Sequence, residues 1–292
     1  MDMFIKKIKA IEPSQLYINQ SKLKAVEKKL QRKGRRALEP LPVKRLGDKI
    51  FFTDGHTRAF ALYNQGIEQI EVYEDEDNLN WLNYLICVQW CAEEGIKDIS
   101  DLKDRVISNS DYQKLWIERC QKMQEQTKKN HLDYININKL KNPAQKSKIC
   151  ELILKELPEW FGMEEARQNY IDGVKDKEFL ALCVGDTPVG FLALKEHNQF
   201  TAEIYVLGIL KELQGRGLGT KLIEHTEKLL KKEEKEFLTV KTLAPSHPDE
   251  NYQLTRKFYR SQGFIPLEVF TELWNEENPC LLMAKRIEVD TR

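Results

Sequence analysis

The stretch that most constrains what this chain can fold into is Gln214-Gly-Arg-Gly-Leu-Gly-Thr220. A strand-like run, Ala202 to Ile209, precedes it, and a helix-like run, Leu218 to Lys232, follows it. Three glycines at alternate positions leave the backbone bare, and glycine reaches φ > 0 at little cost. The first N–H groups of the following helix have no partner inside that helix. Together with the helix dipole they form a site for a phosphate or pyrophosphate.

Three phosphate motifs compete for this stretch. A Walker A loop ends in adjacent Gly-Lys-Ser/Thr, whereas this chain has Gly219-Thr220-Lys221. A dinucleotide fingerprint needs G-x-G-x-x-G, and the glycines here are Gly215, Gly217 and Gly219. The third pattern is Gln/Arg-x-x-Gly-x-Gly/Ala after a strand, which Gln214, Gly217 and Gly219 fit. That pattern resembles the coenzyme A pyrophosphate loop of the GNAT family, the Gcn5-related N-acetyltransferases. The bland alternative is a glycine-rich helix start that binds nothing.

At 292 residues the chain is long enough for two domains. Its 41% hydrophobic content suffices for packed cores, and its net charge of zero provides no global field for nucleic acid or an anionic membrane. No apolar run approaches a membrane span. Met1 to Lys9 lacks the apolar core of a signal peptide, so a cytoplasmic location is expected. The cysteines, Cys87, Cys91, Cys120, Cys150, Cys183 and Cys280, include only one close pair. Cys87 and Cys91 lie one helical turn apart in an apolar run, which predicts buried, reduced thiols rather than a metal site. His197, His225 and His247 share no spacing, so surface histidines and no metal are expected.

The first part of the chain reads as a strand near Ile5 to Ile11, a basic helix over Ser21 to Lys33, a strand over Lys49 to Thr53, and a helix over Ala59 to Gln65 stopped by Gly66. Gln69 to Tyr73 returns as a strand, and Glu74 to Asp77 reads as a solvated acidic loop. Helices follow over Leu79 to Glu94, over Asp101 to Ile107 with Ser100 as cap, and over Tyr112 to Lys128 with Asp111 as cap. The order of strand, Gly55-His-Thr-Arg58 box and helix resembles the N-terminal domain of ParB-type partition proteins, which shares a fold with sulfiredoxin. That resemblance implies a nucleotide phosphate contact at Gly55 and Arg58. Sulfiredoxin's cysteine has no counterpart, because no Cys precedes Cys87. The plainer reading is that Asp54-Gly55 makes the turn and Arg58 pairs locally. The polar run Gln124 to Asn130 marks a boundary, giving domains 1–128 and 129–292.

The second half reads as strands near 134–137, 179–184, 189–194, 203–209, 237–243, 267–270 and 281–285, with helices over 149–157, 164–174, 218–232 and 251–262. Phe258-Tyr259 followed by Gly263-Phe264, and the Leu157-Pro-Glu-Trp-Phe-Gly162 segment, add to the GNAT resemblance. The fold class is α/β of the α+β kind, with a mixed, mostly antiparallel central sheet in the second domain.

The resemblance implies acetyl-CoA as donor and a primary amine as acceptor, joined by direct attack in a ternary complex. Gln214, Gly215, Arg216, Gly217, Leu218, Gly219 and Thr220 would hold the pyrophosphate. Ile209, with Leu210 beside it, would offer a backbone N–H to the thioester oxygen where β-strands splay apart. Tyr259 would protonate the departing sulfur. A lysine-type amine near pKa 10.4 needs a base or a desolvating pocket. Glu203 and Tyr205 are the candidates, two apart on one strand and so expected on one side. Tyr252, Thr255 and Tyr259 fall on one helical face, expected to line the cleft, with Leu254 and Phe258 on another. Tyr252 stands where many members of the family carry Asn, and Asn251 is one position off register.

A binding module is the rival reading. There the ParB-like half takes a nucleotide or nucleic acid, and the other half is a sensor or a degenerate enzyme. A third reading has the first domain only shape the acceptor site or a homodimer interface. The acceptor itself is not named by any of these residues.

Overall fold

The computed structural model describes residues 3–34, 38–128 and 134–288. Two compact units divide the chain, Met1–Ile135 with Val184–Thr187, and Asn136–Cys183 with Pro188–Arg292.

In the first unit, β1 (Met3–Lys7) is followed by a 3-10 turn at Ile8–Ala10, where the sequence pattern predicted continued strand. β2 (Ile18–Asn19) leads into α1 (Gln20–Lys33). The Asn19 side chain caps α1 by accepting from the N–H groups of Ser21 and Lys22 at 3.0 and 3.1 Å. Next come β3 (Leu41–Leu46), β4 (Lys49–Phe52), α2 (His56–Asn64) and β5 (Gln69–Glu74). Among the described residues these make a four-stranded sheet in the order β1-β5-β3-β4, with β3 parallel to β5 and the other pairs antiparallel. α3 (Trp81–Glu93) is apolar nearly all round and buries Trp81, Leu85, Ile86, Trp90 and Cys91.

Three expectations change here. The Glu74 to Asp77 run is not a solvated loop: Asp75 is buried and accepts from Thr53 Oγ1 at 2.6 Å, while Glu74 accepts from the Arg45 N–H at 2.9 Å. Ser100 does not cap a helix. Asp98 does, and Asp101 reaches back to the N–H groups of Lys97 and Asp98, which holds its carboxyl below the usual range. The segment is a 3-10 helix, Ile99–Arg105, leading into β6 (Val106–Ile107), because this capping box tightens the first turn. Ser108 rather than Asp111 caps the next helix, accepting from the Asp111 N–H at 3.1 Å. α4 (Asn109–Tyr112) therefore starts one turn early and runs through a π turn into α5 (Glu118–Lys128). All six cysteines are free, and the Cys87 thiol is hydrogen-bonded to Cys120.

The Gly55-His-Thr-Arg box carries the fold. Gly55 sits at φ +79°, and a Cβ there would lie 2.8 Å from Leu41 and 2.9 Å from the Arg58 guanidinium. Arg58 pairs with Asp54 at 3.3 Å. His56 is buried, and its Nε2 accepts the Ser14 N–H at 2.9 Å.

Burial pushes the His56 imidazole down from 6.5 to about 4. Between those values the unfolded chain binds a proton that the folded chain refuses, so stability falls as pH falls through that window. We expect this unit to lose about 3 kcal/mol between pH 6.5 and 4, at about 1.4 kcal/mol per pH unit. Chemical denaturation from pH 7 to 4 measures it. His56→Gln keeps an acceptor for Ser14 without titrating, so the slope should flatten. An unchanged slope in that variant would assign the effect to other groups.

The second unit holds β7 (Ile135–Leu140), α6 (Pro143–Lys155), α7 (Pro158–Phe161), α8 (Glu164–Gly173), β8 (Glu178–Val184), β9 (Thr187–Glu196), β10 (Thr201–Ile209), α9 (Leu218–Lys232), β11 (Phe237–Leu243), α10 (Glu250–Ser261), β12 (Ile265–Asn275) and β13 (Asn278–Arg286). Among the described residues the sheet has seven strands in the order β12-β13-β11-β10-β9-β8-β7. β10 and β11 are parallel, whereas β9–β10, β11–β13 and β12–β13 are antiparallel. β8 and β9 form the continuous apolar hairpin that the sequence pattern predicted, buried from Phe179 to Val184 and from Val189 to Leu194. β12 is longer than predicted and leaves Ile265, Leu267 and Val269 exposed.

Candidate functional site

The site begins where two strands part. β10 pairs with β11 only from Thr201 to Ile204, matched to Phe237 through Val240. On its other edge β10 stays paired to β9 as far as Ile209, opposite Gly190. The edge of β10 that faces β11 is therefore open after Ile204. A bulge between Ile204 and Val206 sits at the point of departure, as expected of an extra residue that bends one strand away from its neighbour.

The register decides which backbone groups reach the opening. The Leu210 N–H donates to the Val189 carbonyl at 2.9 Å, so it is committed to β9. Antiparallel pairing alternates, which turns the N–H and C=O groups of Leu207 and Ile209 toward the open edge. On that edge the Ile209 carbonyl accepts Gln214 Nε2 at 3.0 Å. Of the two sequence candidates, Ile209 has its N–H on the open edge and Leu210 does not.

The glycine loop closes one end. Gly215 and Gly217 have φ +71° and +76°, and a Cβ on either would meet nothing within 4 Å. Gly217 precedes α9 and provides no side-chain cap, and the first turn of α9 carries no acid. Helical bonding back to the loop begins with the Lys221 N–H, which donates to the Gly217 carbonyl at 3.0 Å. The N–H groups of Leu218, Gly219 and Thr220 precede it and meet the conditions for an anion. Gly219 is glycine for another reason: a Cβ would stand 2.9 Å from the Phe258 ring.

A cleft of about 580 Å³ joins these parts. Its lining includes Ile209, Gln214, Gly215, Gly217, Leu218, Gly219, Thr220, Tyr205 and Tyr259, but not Arg216, Leu210 or Glu203. Glu203 is buried, with Oε2 bonded to His197 Nε2 at 2.7 Å and to Lys241 Nζ at 2.5 Å. His197 is exposed, as expected of a surface histidine, and its ring is also a partner of Glu203. Lys241 does line the cleft. Tyr205 is half-exposed, its hydroxyl 3.4 Å from the Asn169 carbonyl and its ring 5.3 Å from Tyr170.

Tyr259 is buried between Phe258 and Phe264, at ring separations of 5.2 and 5.4 Å. Burial raises its hydroxyl well above the ordinary tyrosine value, and Tyr170 and Tyr252 add to the effect. The expected division of α10 into a cleft face and a core face does not hold. Leu254 and Phe258 line the cleft together with Tyr252, Thr255 and Tyr259. The buried positions are Tyr259 and Arg256. Arg256 was missed, since a charged residue reads as surface. Its guanidinium donates to the carbonyls of Leu243 and Ala244 at 2.8 and 3.3 Å, where β11 ends and those groups need donors.

Trp160, Phe161 and Tyr170 fall within 149–174, the early helical segment from which the GNAT resemblance builds a substrate pocket, whereas Lys241, Thr242 and Trp274 were missed as cleft residues. Trp160 Nε1 donates to Thr255 Oγ1 at 3.1 Å, and the Tyr252 hydroxyl donates to the Trp160 carbonyl at 3.2 Å. Among the described residues no group of three or more His, Cys, Asp or Glu could hold a metal ion, and no helix is long and apolar enough to cross a membrane.

Comparison with known proteins meets this geometry at the same segment. Residues 147–264 match the family model of the acetyltransferase (GNAT) family. The chain is 38% identical over 64 residues to a mycothiol acetyltransferase of Corynebacterium glutamicum, a match covering 22% of this chain and 22% of that protein. Solved structures similar to it include an aminoglycoside 6'-N-acetyltransferase complexed with coenzyme A, at 17% identity and a TM-score of 0.43, covering 54% of this chain and 99% of that one. Another is the ribosomal-protein-S18-alanine N-acetyltransferase of Escherichia coli, at 15% identity and a TM-score of 0.43, covering 54% and 97%. Acetyltransferases of the matched family use acetyl-CoA.

Proposed function

We propose that this protein is an acetyl-CoA-dependent N-acetyltransferase acting on a primary amine by direct attack in a ternary complex, with the activity in residues 129–292. The observation that carries this reading is that the open edge of β10 and the bare start of α9 line one cleft. Acetyl-CoA supplies an acyl group activated as a thioester. The N–H groups at Gly217 to Thr220 hold its pyrophosphate, with Gln214 fixing the loop to Ile209. Arg216, outside the lining, adds only a nearby positive charge.

The Ile209 N–H, on the open edge of β10, would donate to the thioester oxygen and stabilise the charge that develops on it. One such donor is worth about 10²-fold or more in rate. Tyr259 gives its proton to the sulfur as the carbon–sulfur bond breaks and the carbon–nitrogen bond forms, and the proton shed by the nitrogen passes to solvent, from which the Tyr259 hydroxyl is restored. Tyr205 borders the acceptor. Glu203 acts through Lys241, its partner in the lining, as a positioning residue. A soluble, cytoplasmic setting fits this reading. The nucleotide alternative gains no observation, because Gly55 and Arg58 are occupied by the fold.

Calorimetric titration of the full chain with acetyl-CoA, and separately with ATP and CTP, tests the assignment. Binding of acetyl-CoA, followed by thiol release that depends on added amine, is the expected result. No acetyl-CoA binding would sink it. Thiol release without amine, with the acetyl group left on the protein, would overturn direct attack.

A further inference from the structure

The acceptor end of the cleft has an unusual composition for a site that receives amines. Among the described residues that line it there is no Asp and no Glu, and the one basic residue is Lys241. The ammonium of Lys241 is already bound to Glu203, which is itself held by His197. The walls are aromatic instead. Phe161 and Tyr170 meet edge to face at 5.7 Å, and Tyr170 and Tyr205 at 5.3 Å. Tyr252 and Trp160 are tied together by the hydrogen bond between them. Burial pushes the Tyr170 hydroxyl up to about 12 and raises those of Tyr205 and Tyr252. All three are neutral phenols near pH 7.

Such a cleft discriminates by charge number. A polyamine or an aminoglycoside would bring several ammonium groups beside Lys241 with no carboxylate to receive them, and burying an unpaired charge is costly. A flat apolar body carrying one amine faces no such penalty and gains ring contacts. Desolvation also disfavours the ammonium form, which leaves the reactive free amine as the bound species.

On these grounds, and resting on the acetyl-transfer reading above, we propose that the acceptor is a small arylalkyl monoamine held between Trp160, Phe161, Tyr170, Tyr205 and Tyr252. Polycationic amines are excluded by the missing carboxylates.

The test compares kcat/KM at saturating acetyl-CoA for 2-phenylethylamine and tryptamine with that for spermidine and kanamycin. We expect the arylalkylamines to lead by about 100-fold, the scale on which pockets separate competing substrates. Tyr170→Ala should raise the KM for 2-phenylethylamine about tenfold, equivalent to losing one ring contact, without weakening acetyl-CoA binding by calorimetry. Equal or greater kcat/KM for spermidine or kanamycin would overturn the proposal, as would preference for a peptide N-terminus. If none of these amines is acetylated, quenching of the cleft tryptophans by 2-phenylethylamine decides, and no quenching overturns it. Calorimetry on the same sample separates the two readings. Loss of acetyl-CoA binding counts against the enzyme assignment, whereas intact binding with a polycation preference counts only against the acceptor class.

Discussion

Gly217→Trp should weaken acetyl-CoA binding by about 1,000-fold, roughly 4 kcal/mol, while the protein stays folded. Gly217 is at φ +76°, immediately before α9, and a Cβ there meets nothing within 4 Å. The new side chain would therefore stand in the space a pyrophosphate needs instead of clashing with the fold. The cost to the fold is the left-handed backbone, about 1–2 kcal/mol for a residue with a Cβ. Gly66 provides the control. It has the same φ, +76°, and the same open surroundings, but lies in the other unit. Gly66→Trp should show the same loss of stability with acetyl-CoA binding intact. Calorimetric titration and thermal melts of both variants decide the matter. If Gly217→Trp binds acetyl-CoA like the parent chain, the loop is only a helix start.

Tyr259→Phe should lower kcat by about 1,000-fold, within the range for a positioned proton donor, with little change in the KM for acetyl-CoA. The substitution keeps the ring between Phe258 and Phe264 and removes only the hydroxyl. The raised Tyr259 hydroxyl keeps its proton through neutral and mildly alkaline pH. The group needed by the leaving sulfur is the protonated form. Its loss on the alkaline side should begin only above about pH 10, the ordinary tyrosine value. A kcat profile of the parent enzyme across pH 7 to 10 checks this, and the variant's kcat checks the assignment. An unchanged kcat in Tyr259→Phe would move the proton to another donor.

Much of this arrangement was legible because it is local. Glycine at 215 and 217 is required by φ alone, and the run from Leu218 to Lys232 repeats its apolar residues at helical spacing. Continuous apolar strands at 179–184 and 189–194 announced a buried hairpin for the same reason. Caps were less legible. Asp98, Ser100 and Asp101 compete for one helix start, as do Ser108 and Asp111, and the winner depends on where the preceding chain arrives. Asp75 looked solvated because nothing near it in sequence reveals Thr53, its partner across the fold.

The sequence by itself determined the glycine loop, the strand–loop–helix order around it, and Tyr259 on its helix. Each follows from backbone freedom or short-range periodicity, which neighbouring residues set. Only the tertiary structure decided how these parts act together. The parting of β10 from β11 after Ile204, the commitment of the Leu210 N–H to Val189 and the capture of Glu203 by His197 and Lys241 depend on pairings across the sheet. So does the carboxylate-free aromatic lining, assembled from segments more than a hundred residues apart between Leu157 and Trp274. Register and long-range contact are set by the whole fold, and no local pattern encodes them.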